Sequence, residues 1–198
     1  MALISSANDF IGVFIIAVLC VCAWMFIQQK MENLTYVKSN IDDNEYLVQN
    51  TVDKQEAADT IATINQRIEK LIDYMNKHYP DDPRTERLTK NYKPENVCES
   101  VRNAKNTSYS VNKGEKVVLC IRSKETQKIE ELNTLMFVTI HEMGHLASKT
   151  IGHNDEFWKN FKFLLKHSTK IGIYKKVNYS EKPKDYCGIK ITDSPLEK

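Results

Sequence analysis

The sequence lacks a strong net charge and has little glycine or proline. Six glycines and five prolines among 198 residues exclude a collagen-like or low-complexity chain. The net charge of +2 argues against a basic nucleic-acid binder, so nucleic acid is not an expected partner. With 41% apolar and 27% charged residues, the composition is that of a folded domain, and the length allows one domain with an appendage.

Paired cysteine motifs are also missing. The five cysteines include no CxxC pair, which argues against a cysteine zinc site. Cys20 and Cys22 lie in an apolar segment, where they are expected to act as small hydrophobic residues. Cys98, Cys120 and Cys187 are odd in number, so a complete disulfide framework is not indicated. One disulfide with one free thiol is the alternative.

One long stretch contains no charged residue. Phe10–Ile27 would span about 27 Å as a helix, close to the hydrocarbon thickness of a bilayer. A cleaved signal peptide is the alternative, but the residues before Phe10 include Asp9 and no Lys or Arg, and no small-residue cleavage site follows. We therefore predict a transmembrane anchor over 1–30, with the membrane as a partner through Phe10–Ile27. Lys30 and Lys38 after the segment favour a cytosolic main domain.

The rest of the chain divides into a tether and a folded domain. Residues 31–51 are polar and mixed, which predicts a tether. Within the domain 52–198, apolar residues recur at steps of three and four over 52–79, which predicts an amphipathic helix ended by Pro80. The segment from Leu88 to Glu99 contains Pro94 and is predicted to be irregular.

A hairpin and two helices are predicted further along. Asn112-Lys113-Gly114-Glu115 is a turn signal, and the segments 109–111 and 116–122 on either side read as strands. Asn133 is a plausible N-cap for an apolar helix that contains the segment 141–145. Asn154 or Asp155 can begin another helix, and the tail reads as irregular with short strands.

The segment His141-Glu142-Met143-Gly144-His145 carries the chemistry. Positions i and i+4 share one helix face, so His141 and His145 can present ring nitrogens to one cation. Glu142 is placed to reach a water without being a ligand. Gly152 can bend the chain so that His153 returns as a third ligand. Glu156 and His167 are the alternative third ligands.

Three histidines with one position left open are typical of a catalytic zinc site rather than a structural one. We therefore expect Zn²⁺ as the cofactor, with Glu142 taking a proton from the attacking water and returning it to the leaving amine. No other cofactor is expected. A tyrosine from the tail is the natural second donor to the oxyanion, and Tyr174, Tyr179 and Tyr186 remain alternatives.

With these motifs, the chain resembles the zincin metallopeptidases, and more narrowly the WLM and SprT-like group. The resemblance covers roughly Tyr109 to Gly188 and includes the Gly152-His153-Asn154 segment and the aromatic pair after it. Metzincins differ, because they would have glycine and histidine where this chain has Ser148 and Ile151. The resemblance implies a compact α+β domain, zinc, peptidase activity and a strand near Leu119 lining the substrate cleft.

The predicted fold class is therefore α+β: a minimal zincin-like domain preceded by a long amphipathic helix and a transmembrane helix. The predicted function is a membrane-anchored zinc metallopeptidase that acts on protein or peptide substrates, in a virion or host membrane. The alternative is a non-catalytic structural or interaction protein built on the same scaffold. Nine lysines against two acidic residues between Lys159 and Lys190 could attract an acidic partner, although a solvated face is the simpler interpretation. The sequence leaves the oligomeric state open.

Overall fold

A computed structural model describes residues 7–31 and 34–197, and within the first helix the side chains from Phe10 to Phe26. The chain is α+β. Its helices are α1 Ala7–Met31, α2 Lys54–His78, α3 Pro83–Asn91, α4 Leu132–Ala147 and α5 Asp155–Lys170. Its strands are β1 Leu34–Lys38, β2 Glu45–Gln49, β3 Val97–Glu99, β4 Tyr109–Val111, β5 Lys116–Leu119, β6 Lys184–Tyr186 and β7 Ile189–Ile191.

The predicted transmembrane helix is the first correction. In the described parts of the chain, no helix has an apolar stretch long enough to cross a membrane. The transmembrane part of the predicted fold class and the predicted single-pass membrane localisation are therefore wrong.

Most of the segment 31–51, predicted as a tether, is folded. β1 and β2 form an antiparallel hairpin in which Val37 pairs with Tyr46 and Thr35 with Val48. Tyr46 and Val48 are buried against the core, and the Tyr46 hydroxyl donates to Asp42 at 2.6 Å. This hairpin packs on α2, so it belongs to the folded body.

Helix α2 follows the predicted amphipathic pattern. Its buried residues recur at the expected steps and include Ile61, Ile64, Ile68 and Leu71. Tyr79 follows as the C-cap, and Pro80 stands directly after it. After Pro80 the segment predicted to be irregular is more ordered than expected, because α3 extends to Asn91, a short 3-10 helix spans Pro94–Asn96 and β3 follows.

The main sheet has three strands and places β4 at one of its two edges. Its strand order is β3-β5-β4, with β3 parallel and β4 antiparallel to β5. β5 is central and mostly buried, as its run of apolar residues predicts. β4 lies at the edge, so one side of its backbone has no strand partner in the described chain.

Helix α4 packs against α3, α2 and α5, and begins two residues earlier than predicted, with Glu131 as its N-cap. Asn133 is therefore not the N-cap; its side chain instead exchanges hydrogen bonds with the backbone of Lys175 at 2.8 and 2.9 Å. Asn154 is the N-cap of α5, and its side chain accepts from the Phe157 backbone N–H. α5 approaches α4 closely at Gly144, where an added Cβ would lie 3.1 Å from Phe157 Cε2.

The carboxyl-terminal hairpin β6–β7 is joined to the main sheet by a covalent bond. Cys120, directly after β5, forms a disulfide with Cys187 across a sequence separation of 67 residues. Cys98 is a free, buried thiol, so the alternative of one disulfide and one free thiol holds for these three cysteines. Arg122 adds a buried ion pair with Glu99 at 2.7 Å and a second ion pair with Asp53, so the start of α2 is tied to the same sheet.

Candidate metal centre

Helix α4 places two histidines on one face, one turn apart. The His141 and His145 rings are 5.1 Å apart between centroids, and both are half-buried. Phe157 and Phe161 of α5 pack against the His141 ring at 4.8 and 5.1 Å. Gly144 allows this approach because it has no side chain between the two helices.

The loop after α4 brings a third histidine to the same point. Gly152 has φ +86°, a conformation that favours glycine, and it turns the chain as predicted. His153 Nε2 then lies 3.0 Å from His141 Nε2 and 3.2 Å from His145 Nε2. In the described chain, these three histidines are the group of ligand-type side chains that could hold a metal ion.

The arrangement fits a tetrahedral ion. With zinc–nitrogen bonds of ~2.0–2.1 Å, ligand nitrogens of a tetrahedron lie about 3.3 Å apart, near the two measured separations. Burial, together with the charges of the neighbouring histidines, lowers the pKa of His141 to about 3. Burial and the charges of His153 and Lys113 lower the pKa of His145 to about 4. Both rings are therefore neutral at pH 7 and have a free lone pair, as ligation requires.

Glu142 lies beside the three rings and is 4% exposed. Burial raises the pKa of its carboxyl to about 7, although hydrogen bonds from the Ser110 hydroxyl and backbone N–H favour the charged form. Ser110 belongs to β4, so the edge strand and the helix meet at this carboxylate. The sequence carried no signal for Ser110, because that contact depends on how β4 packs on α4.

The histidines open into a cleft of about 800 Å³. One wall is β4 with the turn after it, and the other is formed by α4, the Gly152 loop and Trp158. The carboxyl-terminal hairpin contributes Ile189 and Ile191. Leu119, whose neighbourhood was expected to line the cleft, is instead 2% exposed on the central strand β5. The expectation was wrong, because the strand that lines the cleft is the edge strand β4, and β5 lies behind it in the sheet.

Of the three candidate tyrosines, Tyr186 borders the cleft. Its hydroxyl donates to the Cys120 carbonyl at 2.7 Å and lies 2.6 Å from Ser108 Oγ. Burial raises its pKa, so the group stays protonated. Tyr174 and Tyr179 instead pack against Phe137 in the core, with ring centroids 6.0 and 4.8 Å away.

The two alternative third ligands are engaged elsewhere. The Glu156 carboxylate accepts hydrogen bonds from the backbone of the loop before His153. His167 is 5% exposed and packs 4.8 Å from Tyr79 and 4.5 Å from Phe163, between ring centroids. The lysines predicted to attract an acidic partner are mostly exposed on α5 and the tail, and that partner stays a prediction.

In this α+β fold, the helical segment His141–His145 and the returning His153 bring three histidine rings together. No protein-family model matches the sequence. The chain is 37% identical over 177 residues to uncharacterized protein R325 of Acanthamoeba polyphaga mimivirus, covering 87% of this chain and 90% of that protein. The chain therefore belongs to the same family as this mimivirus protein.

Two further relatives match a shorter part. Uncharacterized protein 136R of Invertebrate iridescent virus 6 is 36% identical over 84 residues, covering 40% of this chain and 44% of that protein. Uncharacterized protein 042R of Invertebrate iridescent virus 3 is 36% identical over 85 residues, covering 41% of this chain and 50% of that protein. These relatives agree with the expectation of a viral protein.

Among solved structures, the crystal structure of Wss1 from Saccharomyces cerevisiae overlaps with a TM-score of 0.49 and 20% identity, covering 64% of this chain and 87% of that chain. A Wss1 mutant gives the same TM-score with 18% identity.

Proposed function

We propose that this protein is a zinc-dependent metallopeptidase of the WLM-like kind. The observation that carries the proposal is the convergence of His141, His145 and His153 beside the buried carboxyl of Glu142. In such a site zinc supplies Lewis-acid activation of a water molecule and of a carbonyl oxygen. The three histidines would be its ligands, through the Nε2 atoms that face one another.

Glu142 is the general base and acid in this proposal. Its carboxyl is buried beside the histidines and is not one of the three converging ligands. It can therefore take a proton from the attacking water and deliver that proton to the leaving amine. Ser110 orients the carboxylate through its two hydrogen bonds.

The shape of the cleft supports a proposal for the substrate class. The free edge of β4 offers backbone groups to which an extended peptide can pair as an added strand. The walls beyond the histidines are rich in apolar side chains, including Val138, Phe161 and Ile189. We infer that an unfolded protein segment with large apolar side chains is the preferred substrate.

The alternative, a non-catalytic scaffold, differs from an enzyme in whether the cleft must be open to solvent. A permanently closed site would favour the scaffold, whereas a cleft open to solvent favours turnover. His153 is exposed, and His141 and His145 are half-buried at the cleft surface. The carboxyl-terminal hairpin lines the cleft without covering these rings. The open cleft favours the enzyme.

The test is Glu142→Gln in the full chain. Elemental analysis should find about one zinc per chain in both the wild type and the variant, because Glu142 is not a ligand. Cleavage of an unfolded protein such as reduced casein should fall by roughly 10²–10⁴-fold, the usual contribution of a general base. Glu125→Gln, at an exposed loop position, is the matched control and should keep full activity. Undiminished cleavage by Glu142→Gln would refute the proposed role.

A further inference from the structure

The third histidine lies on a loop, unlike the other two. His141 and His145 are held by the backbone hydrogen bonds of α4, which ends at Ala147. His153 follows in an exposed connection, in which Ile151 is 90% exposed. An exposed loop is free to move unless other groups hold it. Some part of the chain must therefore fix this segment if the His153 ring is to meet the other two.

Glu156, in the first turn of α5, contacts the loop through three hydrogen bonds. Its carboxylate accepts from the Lys149 backbone N–H at 2.8 Å and from the Thr150 backbone N–H at 3.0 Å. It also accepts from the Thr150 hydroxyl at 2.6 Å. The Thr150 hydroxyl first, and then the two backbone N–H groups, lower the pKa of Glu156 to about 2, so the carboxylate is charged at neutral pH.

Asn154 closes the loop from its other end. Its side-chain amide donates to Thr150 Oγ1 at 2.7 Å, while its Oδ1 atom accepts from the Phe157 N–H at 3.1 Å. The Thr150 hydroxyl thus donates to Glu156 and accepts from Asn154. The residues 151–153 span a short arc whose two ends are both tied to the start of α5.

A lysine from the β4–β5 turn holds the loop from the opposite side. Lys113 Nζ donates to the Thr150 carbonyl at 2.5 Å and to the His145 carbonyl at 3.1 Å. Thr150 is therefore bound through its N–H, its carbonyl and its hydroxyl. Because the His145 carbonyl shares the same ammonium group, the loop is placed relative to the helix that carries the other two histidines.

We propose that Glu156 is a positioning residue that holds the 149–153 loop so that His153 completes the metal site. This inference rests on the proposed zinc site. Glu156 acts through the loop backbone and not as a ligand, because both of its oxygens accept from loop donors. Hydrogen bonds at such an exposed position add little stability. Their consequence is the placement of the ring and hence the affinity for metal.

The experiment compares Glu156→Ala with Asp155→Asn in the full chain. Both substitutions remove one negative charge from the first turn of α5, but Asp155 is exposed and makes none of the loop contacts described above. Zinc affinity is measured by competition with a chelator, and coordination by the visible absorption of the cobalt(II)-substituted protein. We expect about 10–100-fold weaker zinc binding for Glu156→Ala, the usual effect of losing an outer partner of a ligand.

The cobalt spectrum separates positioning from a merely structural role. For Glu156→Ala it should shift toward the spectrum of His153→Ala, while the melting temperature of the metal-free protein changes little. Asp155→Asn should keep the wild-type spectrum and affinity. If Glu156→Ala does not fold, Thr150→Val removes one hydroxyl of the same network and should show the same shift, to a smaller degree.

Two results would count against the inference, and they are distinguishable. Wild-type zinc affinity and spectrum in Glu156→Ala, beside a clear loss in His153→Ala, would overturn the positioning role alone. Wild-type protein that binds no zinc, or His153→Ala that binds zinc like the wild type, would overturn the three-histidine site and the inference with it.

Discussion

The Cys120–Cys187 disulfide closes a large loop, and its removal should destabilise the protein measurably. The bond joins the end of β5 to the turn between β6 and β7. For a separation of 67 residues, the chain-entropy model gives about 4 kcal/mol of stabilisation at 25 °C. With a urea slope of ~2 kcal/mol/M, that loss would lower the unfolding midpoint by about 2 M.

The assay is urea unfolding with and without a thiol reductant. For this assay both thiols of α1 are replaced, by Cys20→Ser and Cys22→Ser, because they are exposed and would form intermolecular disulfides. This double variant is the parent protein for the comparison. Cys98→Ala is the matched control: it removes a buried free thiol, so its response to reductant should equal that of the parent.

A small effect would refute this reasoning. If the reduced protein unfolds within about 0.5 M urea of the oxidised protein, ~1 kcal/mol at that slope, the hairpin is held by its noncovalent contacts. The relevant contacts are then the Tyr186 hydrogen bonds to Cys120 and Ser108. Loss of reductant sensitivity in Cys98→Ala would instead show that a different pair of thiols is oxidised.

Two further predictions concern α4 and α5. Gly144→Ala should lower the free energy of unfolding by about 1 kcal/mol, as measured by thermal unfolding. The added methyl group would crowd Phe157 at 3.1 Å, which costs ~1–3 kcal/mol, whereas the higher helix propensity of alanine returns ~1 kcal/mol. The pKa of His167 is lowered, mainly by burial, so unfolding takes up a proton and stability should fall as the pH drops below about 6.5. His167→Phe should remove that part of the pH dependence, measured by urea unfolding between pH 7 and pH 5. The cations that lower the His167 pKa further are Lys170, Lys166, Arg84 and His78.

The controls for these two predictions lie in the same chain. Gly12→Ala, in α1 where nothing lies within 4 Å of an added Cβ, should not lower stability. A Gly144→Ala protein as stable as the wild type would show that α5 moves aside without cost. His78→Gln replaces an exposed histidine that supplies only the smallest of these charge effects on His167, so most of the pH dependence should remain. A His78→Gln protein that loses as much pH dependence as His167→Phe would contradict the assignment.

Local patterns predicted the elements whose signals are short-range. The three-and-four spacing of apolar residues marked α2, and the Asn-Lys-Gly turn between two apolar segments marked the β4–β5 hairpin. The Asn154 cap marked the start of α5. Each of these signals depends only on residues that are close together in the sequence. It therefore predicts the element without knowledge of how the rest of the chain packs.

Predictions that depended on the surroundings of a segment fared less well. An apolar run does not by itself specify a membrane, and the prediction over Phe10–Ile27 was wrong. Tyr46 and Val48 were read as part of a polar tether because their burial depends on how β2 packs against α2, which the polar composition of the segment does not show. The cleft strand was misplaced at Leu119 because strand order is a long-range property.

The sequence by itself determined that His141, Glu142 and His145 share a helical segment, because helical periodicity is local. It also supplied a glycine able to turn the chain before His153. Only the tertiary structure decided that the His153 ring reaches within 3.2 Å of both helical histidines. It also decided that Ser110 meets Glu142 and that Cys187 pairs with Cys120. These pairings depend on how separate elements pack, which residue spacing does not encode.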